Sequence, residues 1–334
     1  MHILVIRLSA LGDVAMTVPA IYSVARTYPQ HTFTVVTTAF MARLFIGAPS
    51  NIRLLPLEKR ESKGVAATWH LLRRLHSIDV DAVADLHNVL RSWIIDNYYR
   101  LRHKPVVMLD KLRSERRAIL HRHARTAVPF TQRYFEVFAK LGLKADPQFT
   151  SLFPDGLPAL PEGITPKADE RWVGIAPFAR YESKTYHLGQ MQEVVRLLTD
   201  ARMHVFLFGA RGHEASVLKE WAASSTVTVV AGCLPLEQEL ALMAHLDLML
   251  TMDSANMHLA SLTGTRVVSF WGGTTPACGF LGYGQRESDA LYAGLDCQPC
   301  SIGGSSRCPL RHMNCTTALP PKVLAQHIIS NLKS

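Results

Sequence analysis

Four groups of residues in this chain have types and spacings that suit chemistry. The first is Ser9-Ala10-Leu11-Gly12-Asp13, between an apolar run and a helical pattern. A carboxylate at Asp13 reads either as a helix cap or as a general base, and the local sequence leaves both open. The second is Phe178 to Tyr186, where Arg180 and Lys184 follow a strand-like run ending at Pro177; cations there either hold a phosphate or simply face solvent. The third is Thr251 to His258, in which a strand passes through Asp253, Ser254 and Ala255 into a helix whose first N–H groups suit a phosphate. Capping accounts equally well for Asp253 and Ser254, and a hydrogen-bonded core position for His258. The fourth is Cys297-x2-Cys300-x7-Cys308-x6-Cys315, compatible with a small structural zinc site, with free thiols or with a disulfide. In each case its expected role is structural and remote from bond making.

The elements that must position these groups follow from periodicity. His2 to Leu8 reads as a buried strand, Ala15 to Arg26 as a helix, Thr32 to Thr38 as a strand, Gly64 to Ser77 as a helix, Val80 to Leu86 as a strand and Val89 to Leu101 as a helix. Six Pro and Gly residues between Pro154 and Lys167 then interrupt the pattern, as a linker would. A second alternating series runs from the strand at Trp172 to Pro177 to the strand at Arg266 to Trp271, with helices at Leu188 to Ala201, Glu214 to Ala223, Leu236 to Leu246 and Asn256 to Thr263. Pro321 to Lys333 is again helical in pattern. Strands alternating with helices imply parallel sheets covered on both faces, and ligands of such sheets bind at the carboxyl ends of the strands. The expected divisions are a first domain over 1–160, a second over 161–319, and a C-terminal helix over 320–334 of the kind that crosses back to the first domain.

Composition bounds the class. The chain has 334 residues, 48% of them apolar and 19% charged, which suits two globular domains and excludes disorder, collagen and coiled coil as descriptions of the whole. No apolar run approaches the ~20 residues of a membrane helix, and the N-terminus lacks a signal-peptide pattern, so a cytoplasmic protein is expected. There is no Gly-x-Gly-x-x-Gly and no Gly-Lys-Ser/Thr loop, which argues against a dinucleotide dehydrogenase and a P-loop NTPase. The net charge is +9, concentrated at Arg100, Arg102, Lys104, Lys111, Arg113, Arg116, Arg117, Arg122 and Arg125 against Asp110 and Glu115. Such a stretch points to an anionic partner or is a solvated face.

Taken together, Ile3 to Asp13 followed by Thr17-Val18-Pro19-Ala20, the Ser183-Lys184 segment, Asp253-Ser254-Ala255 with His258, and Gly272 to Pro276 resemble glycosyltransferase family 9, the ADP-heptose:lipopolysaccharide heptosyltransferases. The resemblance is strongest over 3–20 and 251–276 and weakest over about 60–165. It implies an α/β GT-B architecture, two Rossmann-like domains facing across a cleft, with acceptor on the N-terminal one and nucleotide sugar on the C-terminal one. It implies an inverting transfer in which Asp13 deprotonates the acceptor hydroxyl and Lys184 neutralises the leaving ADP. Arg180, Ser183, Asp253, Ser254, Ala255 and His258 would hold the donor, and Glu214 its ribose.

By the same resemblance ADP-heptose is the donor substrate and no cofactor is required, because the protein supplies the positive charge. The Arg100 to Arg125 stretch would meet the anionic groups of a lipopolysaccharide core acceptor or the inner face of the inner membrane, and nucleic acid is not an implied partner. Phe178, Gly273 and Tyr186 depart from the family pattern at the phosphate loop. The competing readings are a GT-B enzyme using another nucleotide sugar, as a transferase or epimerase, and a non-enzymatic polyanion-binding protein.

Overall fold

The computed structural model describes residues 1–57, 61, 64–111, 113–123, 126–222 and 224–333. The chain separates into two compact units, Met1–Leu112 with Val128–Leu152, and Arg113–Ala127 with Phe153–Ser334. The first runs β1 (His2–Ile6), α1 (Leu11–Thr27), β2 (Thr32–Thr38), α2 (Ala39–Ala42), β3 (Ile52–Leu57), α3 (Val65–His76), β4 (Ala82–Asp85), α4 (Leu90–Leu101) and β5 (Val106–Met108). After α5 (Arg113–Leu120), which belongs to the second unit, α6 (Phe130–Lys140) completes it. Its sheet is parallel throughout, in the order β3-β2-β1-β4-β5. The central strand carries Ile3, Leu4, Val5 and Ile6, all fully buried, because helices cover both faces and neither side chain direction meets water. On one face α3 and α4 bury Leu71, Leu75, Ile95 and Tyr99 against Leu4, Ile6 and Val83. On the other, α1 packs with α6, whose Phe138 meets Phe33 of β2 edge to face.

The second unit runs β6 (Trp172–Ala176), α7 (Leu188–Asp200), β7 (His204–Leu207), α8 (His213–Trp221), β8 (Val227–Val229), α9 (Leu236–His245), β9 (Leu248–Met252), α10 (Ala255–Leu262), β10 (Val267–Trp271), β11 (Ala290–Tyr292) and α11 (Pro321–Lys333). Its parallel sheet has the order β11-β10-β9-β6-β7-β8. The strand order reverses direction between β1 and β4 in the first unit and between β6 and β9 in the second. Loops leaving such neighbours diverge to opposite faces and leave a crevice at their carboxyl ends. Among the described residues no helix is long and apolar enough to cross a membrane.

Three expectations need correction. Arg113–Ala127 packs with the second unit and not with the first 160 residues: Ile119 and Ala127 share a small core with Cys278 and Ile302, and the Ala127 N–H donates to the Ala277 carbonyl. The basic stretch is thereby divided, with Arg100, Arg102, Lys104 and Lys111 in one unit and Arg113, Arg116, Arg117 and Arg122 in the other, while Arg125 lies outside the described residues. The C-terminal helix, expected to cross back, stays within the second unit. Leu324, Ala325 and Ile328 are buried in its core, and Asp289 ties His327 (2.9 Å) to Arg266 (2.8 Å). Burial opposes ionisation of Asp289, but hydrogen bonds from Arg266 and His327 outweigh it and hold its carboxyl below the usual range.

The start of α4 rests on a buried acid pair. Asp85, at the end of β4, accepts from the His87 and Asn88 N–H groups (2.8 and 2.9 Å) and from Ser92 Oγ (2.6 Å). Asp96, one turn further on and equally buried, is pushed up to about 8, first by burial and then by the charge and hydrogen bond of Asp85. The folded chain therefore holds a proton that the unfolded chain releases. The associated stability is full below the ordinary carboxylate pKa and is lost as pH rises through about 8. Replacing Asp96 by Asn should flatten this dependence: between about pH 5 and about pH 8 the parent melting temperature should fall by a few degrees more than the variant's. Identical slopes in thermal unfolding would show that Asp96 is ionised in the folded state.

Candidate active site

In the first unit the site gathers where β1 and β4 end. The helix begins four residues earlier than its apolar period suggests, so Asp13 is the third residue of α1 and not part of a preceding loop. Its Oδ2 accepts from the Ala10 N–H (3.2 Å), which satisfies a donor at the helix start, and its Oδ1 pairs with Arg7 Nη2 at 2.9 Å. Cap and base are therefore not exclusive, since 35% of the Asp13 side chain remains exposed. Arg7 is buried, and its Nη1 donates to the Leu86 carbonyl beyond β4 (2.6 Å), so the guanidinium bridges the two loops that leave the switch point. The next residue, His87, is kept neutral: burial first, then the charges of Arg7 and Lys111, lower it to about 3. Tyr134 of α6 is fully buried, with burial raising its phenol to about 12 and the charges of Arg7 and Asp13 acting on it.

In the second unit the carboxyl ends of β6, β9 and β10 lie side by side, and three loops converge there. Lys184 closes a short 3-10 turn after β6, and its Nζ reaches Asp253 Oδ2 at 2.8 Å, both side chains being largely buried. Thr274 Oγ1, from the loop after β10, donates to the same oxygen at 2.7 Å. Ser254 forms the cap position of α10 and Ala255 its first residue, so the unbonded N–H groups of that helix open beside the pair. The hydroxyls of Thr251 and Ser254 are buried with no hydrogen-bond partner among the described residues, so they are available to an incoming polar ligand.

Ser183 faces the other way. Its carbonyl accepts from the Gly273 N–H, and its Oγ accepts from the Ser305 N–H at 3.0 Å. Gly272 permits this approach, because a Cβ there would lie 2.1 Å from the Ser183 carbonyl oxygen. The cysteine segment backs the same turn. The N–H groups of Cys300 and Ser301 both donate to the Gly273 carbonyl, and Gly304 lies against the Lys184 side chain. All four cysteines are free, and among the described residues no group of His, Cys, Asp or Glu side chains is placed to hold a metal ion. Of the three readings open for these cysteines the structure shows free thiols, and the loop expected to be remote from the chemistry is the support of the Ser183–Lys184 turn. Burial, then the other three thiols, pushes Cys315 up to about 11, which favours its protonated form.

The structure gathers Ser183, Lys184, Asp253, Ser254 and Ala255 into one place. Arg180, on the same loop, is exposed with its guanidinium over the Tyr181 ring, and His258 is buried one turn into α10. Glu214 stands in the first turn of α8, after β7, a strand on the other side of β6 from β9, and its Oε2 accepts from the Ala210 N–H at 2.7 Å. Tyr186 is a core residue, packed on Phe270 and donating to the Leu319 carbonyl. Sequence reasoning missed Thr274, Arg7, His87, Tyr134 and the Ser305 strut. Arg7, a charge at the end of an apolar strand, and Thr274, inside the Gly272 to Pro276 segment, carried a readable signal.

Comparisons with known proteins bear on the family and the fold. The profile of glycosyltransferase family 9 (heptosyltransferase) matches residues 68–306, most of the chain. The lipopolysaccharide core heptosyltransferase OpsX of Haemophilus influenzae is 25% identical over 277 residues, 80% of this chain and 78% of that protein. Lipopolysaccharide heptosyltransferase 1 of Pseudomonas aeruginosa is 25% identical over 321 residues, 90% of this chain and 86% of that one. Among solved structures, E. coli heptosyltransferase WaaC with ADP-2-deoxy-2-fluoro heptose superposes with a TM-score of 0.70 at 18% identity, covering 99% of this chain and 100% of that one. With two parallel-sheet units of the GT-B kind and a family match over most of its length, this chain belongs to glycosyltransferase family 9, the heptosyltransferases.

Proposed function

We propose that the enzyme transfers a heptose from ADP-heptose to a lipopolysaccharide core acceptor at the cytoplasmic face of the membrane, with inversion at the anomeric carbon. The second unit takes the nucleotide sugar and the first the acceptor. The observation that carries this reading is the Lys184–Asp253–Thr274 cluster beside the open end of α10. A buried cation, free helical N–H groups and unpartnered hydroxyls are together a receptor for a diphosphate.

In this mechanism Asp13 removes the proton of the acceptor hydroxyl through the exposed part of its carboxylate, while Arg7 and the Ala10 N–H fix its orientation. The acceptor oxygen bonds to the anomeric carbon as the bond from that carbon to the diphosphate breaks, and the electron pair leaves with ADP. Lys184 offsets the charge gathering on ADP. The Ser254 and Ala255 N–H groups and the Ser254 hydroxyl bind its phosphates, Arg180 and His258 complete that site, and Ser183 holds the turn that carries Lys184. Glu214 keeps one carboxylate oxygen for a ribose hydroxyl. The basic residues of the first unit, Arg100, Arg102, Lys104 and Lys111, meet anionic groups of the acceptor or of the membrane that carries it.

Thermal unfolding against ADP, ADP-heptose, UDP-glucose and GDP-mannose tests the donor, because a ligand at ~100 times its dissociation constant adds about 2.7 kcal/mol. A shift with ADP and a larger one with ADP-heptose are expected; a shift confined to another nucleotide sugar overturns the donor assignment. Asp13→Asn keeps an acceptor for the Ala10 N–H but removes the base, and should lower transfer by at least about 100-fold with ADP affinity nearly unchanged. Retained transfer would leave Asp13 as a helix cap alone. Lys184→Ala should weaken ADP binding and lower kcat by about 100-fold or more, and unchanged kinetics would remove it from the site. Gly272→Ala should displace the Ser183–Lys184 turn and weaken ADP binding about tenfold, whereas Gly303→Ala, where a Cβ meets nothing within 4 Å, should leave it unchanged.

A further inference from the structure

The outer faces of α3 and α4 depart from the composition expected of a solvated surface. Of the twelve large apolar side chains exposed among the described residues, five stand on these two helices: Leu101 at 82%, Leu90 at 73%, Trp69 at 62%, Trp93 at 43% and Ile94 at 40%. On α4, Leu90, Ile94, Asn97 and Leu101 recur at i, i+4, i+7 and i+11, which is one stripe along the helix. That stripe lies opposite Ser92, Ile95, Asp96 and Tyr99, which face the sheet. The helix is therefore apolar on the side that faces the core and apolar again on the side that faces away.

The charge exposed on the two helices themselves has one sign, Glu61 being buried against His70 and Arg74. The two helices together carry a single acid, Asp96, and it is fully buried. Their exposed surface holds His70, Arg73, His76 and Arg100, followed by Arg102 and His103 just beyond α4. Asp79, in the turn between α3 and β4, is offset by Lys104 at 3.6 Å. The two helices are fastened to each other: Tyr98 bonds His76 Nδ1 at 2.7 Å, Arg102 bonds both, and Tyr99 donates to the Leu75 carbonyl. Apolar side chains with indole rings, flanked by Arg73, Arg100 and Arg102 and with no exposed carboxylate on either helix among the described residues, are complementary to a bilayer interface whose headgroups are anionic.

We infer that the outer face of α3 and α4 docks on an anionic phospholipid surface, with Leu90, Trp93, Ile94, Leu101 and Trp69 entering the headgroup region and the surrounding Arg side chains meeting lipid phosphates. This deepens the proposed function, on which it rests for one point only: that the acceptor is itself carried by a membrane.

The test is co-sedimentation of the full chain with vesicles, read together with tryptophan emission, which should shift to the blue as Trp69 and Trp93 leave water. Vesicles of phosphatidylethanolamine and phosphatidylglycerol should bind the protein, and phosphatidylcholine vesicles should bind it at least about tenfold more weakly. The Leu90→Asp/Leu101→Asp double variant should lose at least about tenfold in affinity for the anionic vesicles while keeping its melting temperature and its shift with ADP-heptose. Leu157→Asp, equally exposed but in the second unit, should bind as the parent does. Equal binding by the double variant, or no emission shift, overturns the inference. So does a self-association lost in the double variant without vesicle binding by the parent, since it assigns the face to a second copy of the chain. Vesicle binding without an ADP-heptose shift would overturn the donor reading alone, and an ADP-heptose shift without vesicle binding would overturn this inference alone.

Discussion

Two opposite charges held largely out of water, Lys184 and Asp253 at 2.8 Å, set the terms for the architecture of the second unit's site. A buried ion is tolerated only when it is paired and its remaining hydrogen-bonding capacity is met. Asp253 meets that condition through Lys184 and Thr274, one group from the loop after β6 and one from the loop after β10. Both loops must therefore fold inward over the end of β9. The close passage that results leaves no room for a side chain at Gly272 and makes the Ser183 carbonyl a partner of the Gly273 N–H. The pair thus fixes a backbone arrangement as much as it fixes two side chains.

The first unit reaches a related solution with a different cation. Arg7 joins Asp13 at 2.9 Å and the Leu86 carbonyl at 2.6 Å, again linking loops from neighbouring strands where the strand order reverses. In both units the sheet interior is largely apolar, with Thr and Ser but few charges, so charged groups collect where the strands stop and helix termini offer unpaired N–H groups. The difference lies in exposure. Asp253 is almost wholly buried, as suits a group that holds a cation in place, while Asp13 keeps about a third of its side chain (35%) open, as suits a group proposed to take a proton.

Segments outside the regular elements do much of the supporting. The cysteine-rich loop places the Ser305, Cys300 and Ser301 N–H groups on Ser183 and Gly273, so it serves the site through backbone donors, and its thiols need not be ligands to do so. The small core of Ile119, Ala127, Cys278 and Ile302 draws α5 onto the 276–278 turn, close in sequence to Thr274. A basic segment is thereby carried by the unit proposed to bind the nucleotide. This explains why a boundary read from Pro and Gly density near 154–167 did not find the excursion of 113–127.

By itself the sequence determined the alternation of strands and helices, the parallel sheets, the loops that carry the candidate site, and the family. Those features depend on short-range periodicity and on motifs such as Ser9 to Asp13 and Asp253 to Ala255, which are contiguous in the chain. It did not disclose β3, β5 and β11, edge strands that are short or half exposed and in one case contain Pro56, so no unbroken apolar run marks them. Only the tertiary structure decided that Thr274 shares Asp253 with Lys184, that Arg7 reaches across to Leu86, and that Ser305 supports Ser183. These partners lie between 21 and 122 residues apart. Hydrogen bonds and ion pairs have no periodicity along a chain, and their geometry exists only after the sheets have set the ends of distant strands side by side.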